Sequence, residues 1–238
     1  MANPFYIEGK ERGEKVQDLF SRVAPRYDLI NDLQSFGLHR RWKQKLVNLA
    51  QVQPSDRALD ICCGTGDIAF ALARAGAHVT AVDFNEPMLE VAKLRARRKG
   101  FPQLYFQRGD AQQLSFPAGT FDIVSVGYGL RNLSDWKTGL VEMHRVTRAG
   151  GRLLVLEFGK PDNAAWRALY FGYLRLAVPF LGKIFCGNSA THSYILESLK
   201  HYPAQHGVAE AMRELGCRDV RIINLVGGAM SIHYGVKN

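Results

Sequence analysis

The stretch Asp60-Ile-Cys-Cys-Gly-Thr-Gly-Asp67 concentrates the groups that a nucleotide-like ligand needs. It follows an apolar run and opens an apolar-periodic helix, so a strand, a glycine turn and a helix N-terminus are expected in succession. Glycine lets the backbone take positive φ and approach a ligand closely. A helix start offers unpaired N–H groups and partial positive charge. Gly64-Thr65-Gly66-x-x-Ala69 fits the dinucleotide fingerprint, and Asp83 falls at the end of the next expected strand. A carboxylate there can accept both protons of a ribose diol. That logic serves NAD and S-adenosylmethionine alike, and any strand-to-helix turn can use glycine.

Three further features separate the two cofactors. Asp60 lies four residues before Gly64, where it can approach a cationic amino group directly or through water. S-adenosylmethionine carries an ammonium and a sulfonium, whereas a pyrophosphate is purely anionic and would be repelled. Asp110-Ala111 follows the third expected strand, a position from which a carboxylate can read an adenine amino group. The Tyr-x-x-x-Lys pair of short-chain dehydrogenases is missing from the region beyond the loop; Tyr6 and Lys10 precede it. S-adenosylmethionine is the favoured cofactor, ahead of a nicotinamide.

The elements that must position these groups alternate. Strands are expected at Arg57–Cys62, Ala77–Asp83, Leu104–Arg108, Phe121–Val126 and Arg152–Phe158, the last after a turn at Arg148-Ala-Gly-Gly151. Helices are expected between them at Gly66–Ala75, Glu86–Lys99 and Trp136–Thr147. Such alternation specifies an α/β fold with a doubly wound, mostly parallel sheet covered on both faces. Val220–Leu225 and Ala229–Val236 are too close for a helical crossover, so they should form an antiparallel C-terminal hairpin and bring the sheet to seven strands. Helices at 14–24 and Leu38–Ala50 flank an aromatic- and amide-rich connector, Tyr27–His39. Residues 162–200 read as helix broken at Pro179–Gly182 and Gly187–Ser189, and Val208–Leu215 as another helix. The simplest organisation is one domain over 1–238, with a helical N-terminal extension (1–50) and a helical cover inserted at 162–200.

The chain has 238 residues, a net charge of +9 and 47% hydrophobic residues, enough for a substantial core. A basic balance fits nucleic acid, an anionic membrane surface or an acidic ligand, and equally a solvated basic surface. The four cysteines form no Cys-x-x-Cys pair, so no metal site is expected, and a reduced cytoplasmic setting is. No secretory signal is visible at Met1–Lys15, and no run approaches the ~20 apolar residues of a membrane span. No feature specifies an oligomeric state.

The residues resemble class I S-adenosylmethionine-dependent methyltransferases and, more narrowly, the menaquinone/ubiquinone C-methyltransferase family, over nearly the whole chain. Tyr27-Asp-Leu-Ile-Asn-Asp-Leu-Gln-Ser-Phe-Gly-Leu-His-Arg-Arg-Trp-Lys43 is similar to that family's first signature, and Arg145–Pro161 to its second. Tyr128-Gly-Leu-Arg-Asn132 resembles its segment after strand four. Ser193–Ser198 and Asn224–Gly228 resemble its C-terminal motifs. Cys62-Cys63, Asp110 and Thr147-Arg-Ala depart from the usual residues without removing a group the chemistry needs.

The resemblance implies methyl transfer to a ring carbon of a reduced polyprenyl quinol, a naphthoquinol (demethylmenaquinol) first and a ubiquinone-pathway benzoquinol second. Expected cofactor contacts are Asp60, Gly64, Thr65, Gly66, Asp83, Asp110, Ala111 and Gly127. Expected catalytic residues are Tyr27, Arg131 and Asn132. Arg131 would hold a forming phenolate or orient a water, Asn132 would bond a quinol oxygen, and Tyr27 would cap the pocket. Packing is the equal alternative for Tyr27, and an ion pair with an acid the alternative for Arg131. His39, His144 and His192 are bases by type, with His144 assigned to structure; Glu157 is expected to pair with a basic residue. Phe171, Tyr173, Leu174, Leu176, Val178, Phe180 and Leu181 would line an isoprenoid channel or serve as core. Arg167, Arg175 and Lys183 suit peripheral contact with an anionic membrane. A nucleic-acid methyltransferase ranks behind, because Gly-Tyr-Gly-Leu-Arg-Asn stands where amino-methylating enzymes often carry Asn-Pro-Pro-Tyr, so no nucleic-acid partner is expected. A dehydrogenase and a non-catalytic binding module rank lower still.

Overall fold

The computed structural model describes the backbone of residues 10–101, 104–186 and 190–238, with side chains described for these residues except 10–15 and 179–194. Three helices come first: α1 (Lys10–Val23), α2 (Tyr27–Ser35) and α3 (Leu38–Ala50). Then follow β1 (Arg57–Ile61), α4 (Asp67–Arg74), β2 (His78–Asp83), α5 (Glu86–Lys99), β3 (Leu104–Arg108), β4 (Phe121–Gly127), α6 (Trp136–Val146) and β5 (Thr147–Phe158). The chain ends with α7 (Ala164–Cys186), α8 (Ala190–His201), α9 (Ala204–Glu214), β6 (Cys217–Leu225) and β7 (Met230–Lys237).

The seven strands form one sheet in the order β3-β2-β1-β4-β5-β7-β6. The first five are parallel, and β7 runs antiparallel to both β5 and β6. Successive strand residues point to opposite faces, so Leu154 and Leu156 enter one core while Leu153 and Val155 enter the other. Helices α3, α4 and α5 seal the first face, α6 and α9 the second. Order reverses between β1 and β4, the switch point outside whose strand ends open α/β sheets place ligands.

Several local differences from the sequence reading have physical causes. The connector expected at Tyr27–His39 folds instead as α2, reversed into α3 through Phe36 and Gly37, which both take positive φ (51° and 73°). Its inner face carries Tyr27, Ile30, Asn31 and Gln34, a helical spacing that mixes apolar and amide groups. The turn expected at Arg148–Gly151 is a register shift inside β5, with Phe121 facing Thr147 and Ile123 facing Arg152. The backbone of α7 runs helical through Pro179 despite the hydrogen bond a proline removes. The second expected break, Gly187–Ser189, lies outside the described residues. Among the described residues no helix is long and apolar enough to cross a membrane.

Candidate active site

Two cavities open at the carboxyl ends of the central strands and meet at a shared wall of Phe20, Tyr27 and Tyr128. The first, of about 410 Å³, is built from strand ends: Cys62 and Gly64 after β1, Asp83 at the end of β2, Asp110 and Ala111 after β3, and Gly127 and Asn132 around and after β4. The second, of about 440 Å³, lies under α1, α2 and α7 and is mainly apolar.

The strand-end cavity presents fixed carboxylates. Asp83 accepts the Gly64 N–H (2.7 Å) through one oxygen and the Asn85 N–H (2.8 Å) through the other. Burial nevertheless pushes its carboxyl above the ordinary range. Asp110 accepts the Gln112 N–H at 2.8 Å. The Asn132 amide donates to the Tyr128 carbonyl (3.0 Å), while its buried Oδ1 has no hydrogen-bond partner among the described residues. A β-carbon at Gly129 would collide with the Cys62 side chain, so the backbone at the switch point approaches as only glycine permits. Two acids at neighbouring strand ends, a vacant amide acceptor and close backbone suit a ligand with a ribose diol, an amino-purine and cationic groups. S-adenosylmethionine fits this donor set, and a pyrophosphate does not.

Behind the loop sit three residues that sequence reasoning placed with the cofactor but that line neither cavity. Asp60 is buried, accepting the Ser125 hydroxyl (2.8 Å) and the Ala69 N–H (3.1 Å), and burial pushes its carboxyl up to about 7. Gly66 takes φ +89° at the start of α4. Thr65 donates its hydroxyl to Asp28 of α2 (2.7 Å). Asp28 in turn pairs with Arg95 (3.0 Å), Arg95 with Asp67 (2.6 Å), and Asp67 with Lys43 of α3 (2.8 Å). These bonds bolt α2 and α3 to the glycine loop, and the two cations hold the Asp67 carboxyl well below its ordinary value.

The apolar cavity is lined along α2 by Tyr27, Ile30, Asn31 and Gln34, and along α7 by Trp166, Leu169, Tyr170, Tyr173 and Leu174. Both sets follow the i, i+3, i+4, i+7 spacing of one helix face. Of the channel residues expected on α7, Tyr173, Leu174 and Val178 line it. Phe171 packs beside Tyr170, and Leu176 points outward, 72% exposed, because it falls on the opposite face. The Phe180, Leu181 and His192 side chains lie outside the described residues. Four buried polar atoms on the cavity lining have no hydrogen-bond partner among the described residues: Asn31 Nδ2, His39 Nδ1, Tyr128 Oη and Tyr170 Oη. Buried polar atoms are almost always satisfied, so their convergence marks a place made for a ligand with oxygens.

Arg131 lines the same cavity, but its guanidinium is anchored. Nη1 donates to Glu157 (2.8 Å) and to the Tyr128 carbonyl (2.6 Å), and the group lies 4.5 Å from the centre of the Phe158 ring. Glu157 is fully buried and also accepts the Arg131 and Phe158 N–H groups. The acid partner weighed for Arg131 is therefore real. Tyr27 belongs to both cavities, and its enclosure pushes the phenol up to about 12, so it stays a donor at neutral pH. His144, on α6, accepts a hydrogen bond from the Lys237 ammonium at its backbone carbonyl and lines neither cavity. Sequence reasoning missed Asn31, Tyr128 and Tyr170 as site residues. Only their aromatic or amide type in otherwise apolar faces signalled them.

Comparison with known proteins identifies the family. A demethylmenaquinone methyltransferase of Geobacillus kaustophilus is 37% identical over 96% of this chain and 99% of its own length. A ubiquinone/menaquinone biosynthesis C-methyltransferase UbiE of Teredinibacter turnerae is 37% identical over 97% of this chain and 94% of its own. Among solved structures, an S-adenosylmethionine-dependent methyltransferase of Thermotoga maritima superposes with a TM-score of 0.66 at 18% identity, covering 93% of this chain and 99% of that one, a likeness of fold alone. Residues 8–237 match the ubiE/COQ5 methyltransferase family, and the chain belongs to it.

Proposed function

We propose that this protein transfers a methyl group from S-adenosylmethionine to a ring carbon of a reduced polyprenyl quinone, with a demethylated naphthoquinol as acceptor. The observation that carries this reading is the pair of cavities meeting at Tyr27 and Tyr128, one lined by carboxylates and the other apolar with a few buried polar atoms. When bound, S-adenosylmethionine supplies an electrophilic methyl on a sulfonium that leaves as a neutral thioether. The chain's own part is to align a ring carbon with that methyl and to manage the quinol's proton.

Asp83 and Asp110 orient the cofactor through its diol and amino groups, and Asn132 Oδ1 accepts a further donor. Arg131, fixed by Glu157, places positive charge beside a forming phenolate. Tyr27 donates a hydrogen bond across the boundary between the two cavities. The chain works as one catalytic domain, with α1 to α3 and α7 and α8 closing over the sheet. A ubiquinone-pathway benzoquinol is the second reading, because the UbiE relative matches as well as the demethylmenaquinone enzyme.

The mouth of the apolar cavity carries Phe36, Leu169 and Val226, exposed by 80%, 64% and 44%. Exposed apolar groups around a lipid-accepting cavity suit shallow contact with a bilayer, aided by Arg167 and Arg175 on α7. Cosedimentation with anionic vesicles should fall several-fold for a Phe36→Ser, Leu169→Ser double variant; undiminished binding would remove that contact.

Labelled S-adenosylmethionine presented with reduced demethylmenaquinone and, separately, with the reduced benzoquinol tests the whole reading. Label on the reduced naphthoquinol is expected. Label on neither, with cofactor binding intact, would sink the quinone assignment.

A further inference from the structure

His39 is the imidazole of the acceptor cavity, and it is one half of a dyad. Its side chain is 3% exposed, and Nε2 lies 2.8 Å from Asp32 Oδ1. A carboxylate can only accept, so Nε2 carries the hydrogen and Nδ1 presents a lone pair. Asp32 is held as the anion, its carboxyl lowered to about 2 by the Arg40 guanidinium that grips both of its oxygens (2.8 and 2.6 Å). Nδ1 is buried, sits on the cavity lining and has no hydrogen-bond partner among the described residues. A purely structural histidine gains nothing from leaving that nitrogen unpaired away from water.

The dyad's position is also informative. His39 lies one helical turn before Lys43, whose ammonium stands 5.7 Å from the centre of the Tyr128 ring. Tyr128 is part of the wall between the two cavities, so α3 runs from His39 on the acceptor cavity toward that wall, where the ring must meet the methyl. The charged groups facing the imidazole are Asp32 from α2, Lys43 from its own helix and Asp67 from α4. Burial and Lys43 push the imidazole below its ordinary value, and Asp32 and Asp67 oppose them. The net shift keeps it neutral and able to accept a proton at neutral pH.

We propose that His39, oriented by Asp32, is the general base that takes the hydroxyl proton of the acceptor during methyl transfer. The inference rests on the quinol reading above. The quinol O–H bond breaks toward Nδ1, and its electron pair stays on oxygen and raises electron density at the adjacent ring carbon. That carbon's pair forms the new carbon–carbon bond as the methyl–sulfur bond breaks, its electrons passing to sulfur. The proton on the methylated carbon then shifts to the oxygen and restores the aromatic quinol. The imidazolium releases its proton to solvent, so one proton leaves for each sulfonium charge neutralised. Arg131, too basic to act as a base itself, supplies charge, and His39 supplies the proton acceptor.

The test compares wild type, His39→Gln and Asp32→Asn by single-turnover methyl transfer to reduced demethylmenaquinone across pH 5.5–8.5. Calorimetry reads cofactor affinity, and ¹⁵N NMR of the imidazole reads the tautomer in the protein without ligands. H39Q should lose about 100- to 1,000-fold in kcat, with quinol KM and cofactor Kd within about threefold, and the acid limb of the wild-type profile should vanish. D32N should lose about tenfold and shift the acid limb to lower pH, because an anion that stabilised the imidazolium is gone. In wild type the NMR signature should be an unprotonated Nδ1. An H39Q enzyme with near-normal kcat and its acid limb intact would overturn the proposal, as would a proton on Nδ1. If H39Q fails to bind cofactor, D32N decides, and an unmoved profile there overturns the dyad. Wild type that binds cofactor yet methylates no quinol would instead overturn the quinol reading, and this proposal with it.

Discussion

The two cavities are built on opposite plans. On the cofactor side the ligand-facing groups come from strand ends and the turns after them, and their carboxylates are already tied to nearby backbone, as Asp83 is to Gly64 and Asn85. On the acceptor side the groups come from the N-terminal helices, from α7 and from the segment after β4, and several buried polar atoms have no hydrogen-bond partner among the described residues. The first site is set by the sheet that also makes the core. The second exists only when α1, α2, α3 and α7 pack together. Cofactor recognition should therefore tolerate changes in the helices, while acceptor chemistry should depend on them.

The largest expected effect lies at Arg131, on the acceptor cavity, and its buried partner Glu157. Glu157→Ala leaves a buried guanidinium without its carboxylate and should cost about 3–5 kcal/mol of stability in chemical unfolding. A loss below 1 kcal/mol would mean that the pair is not the pin described above. Next in size, Asp83→Ala should weaken cofactor binding about 10- to 100-fold by calorimetry, from the loss of charge-assisted hydrogen bonds. It should leave the apparent KM for quinol within about threefold; a large change in both would erase the distinction between the cavities. Asp67→Asn should cost about 1–3 kcal/mol and loosen α2 and α3, giving faster amide exchange there than in β1 or β4. Uniform exchange would show that the helices are held by packing alone.

A further test opposes two acids seven residues apart. Asp67 has a depressed carboxyl, so its contribution is present above about pH 4 and is lost as pH falls below that. Asp60 has a raised one, near 7. Its burial costs nothing below about pH 4, where both folded and unfolded forms are protonated, and costs progressively more as pH rises toward 7. In the absence of cofactor, Asp60→Asn should flatten the decline in stability between pH 4 and 7, and D67N the decline below pH 4. Urea midpoints across that range read both, and identical profiles for the two variants would refute the assignment.

The same contrast explains what the sequence made legible. The strand–glycine–helix unit at Arg57–Arg74 and the acids ending or following β2 and β3 are short-range patterns. Their spacing alone located Gly64, Asp83 and Asp110 on one cavity. The mostly parallel sheet followed from the alternation of strands and helices, and the antiparallel hairpin from the short Gly227-Gly228 link. The acceptor side was harder, because its groups are neighbours only in space. Tyr27, Asn31 and Gln34 read as connector residues, since apolar periodicity alone does not register a helix face that is half amide and phenol. Leu176 was counted with Leu174, although two residues along a helix turn a side chain to the other side. His39 could be named as a base by type, but its pairing with Asp32 needed the reversal at Phe36 and Gly37 that lays α3 against α2.

The chain of charges joining α2 and α3 to the glycine loop has a consequence for exchanging parts between relatives. Asp28 and Lys43 belong to the N-terminal segment, and Asp67 and Arg95 to the sheet domain, so each side brings one acid and one base. Neither half is attracted to the other by net charge; they match only because opposite charges fall in register. A chimera that grafts residues 1–50 from another family member onto this sheet should assemble when the donor carries an acid at 28 and a base at 43. It should dock poorly when either is missing, however similar the two segments are elsewhere.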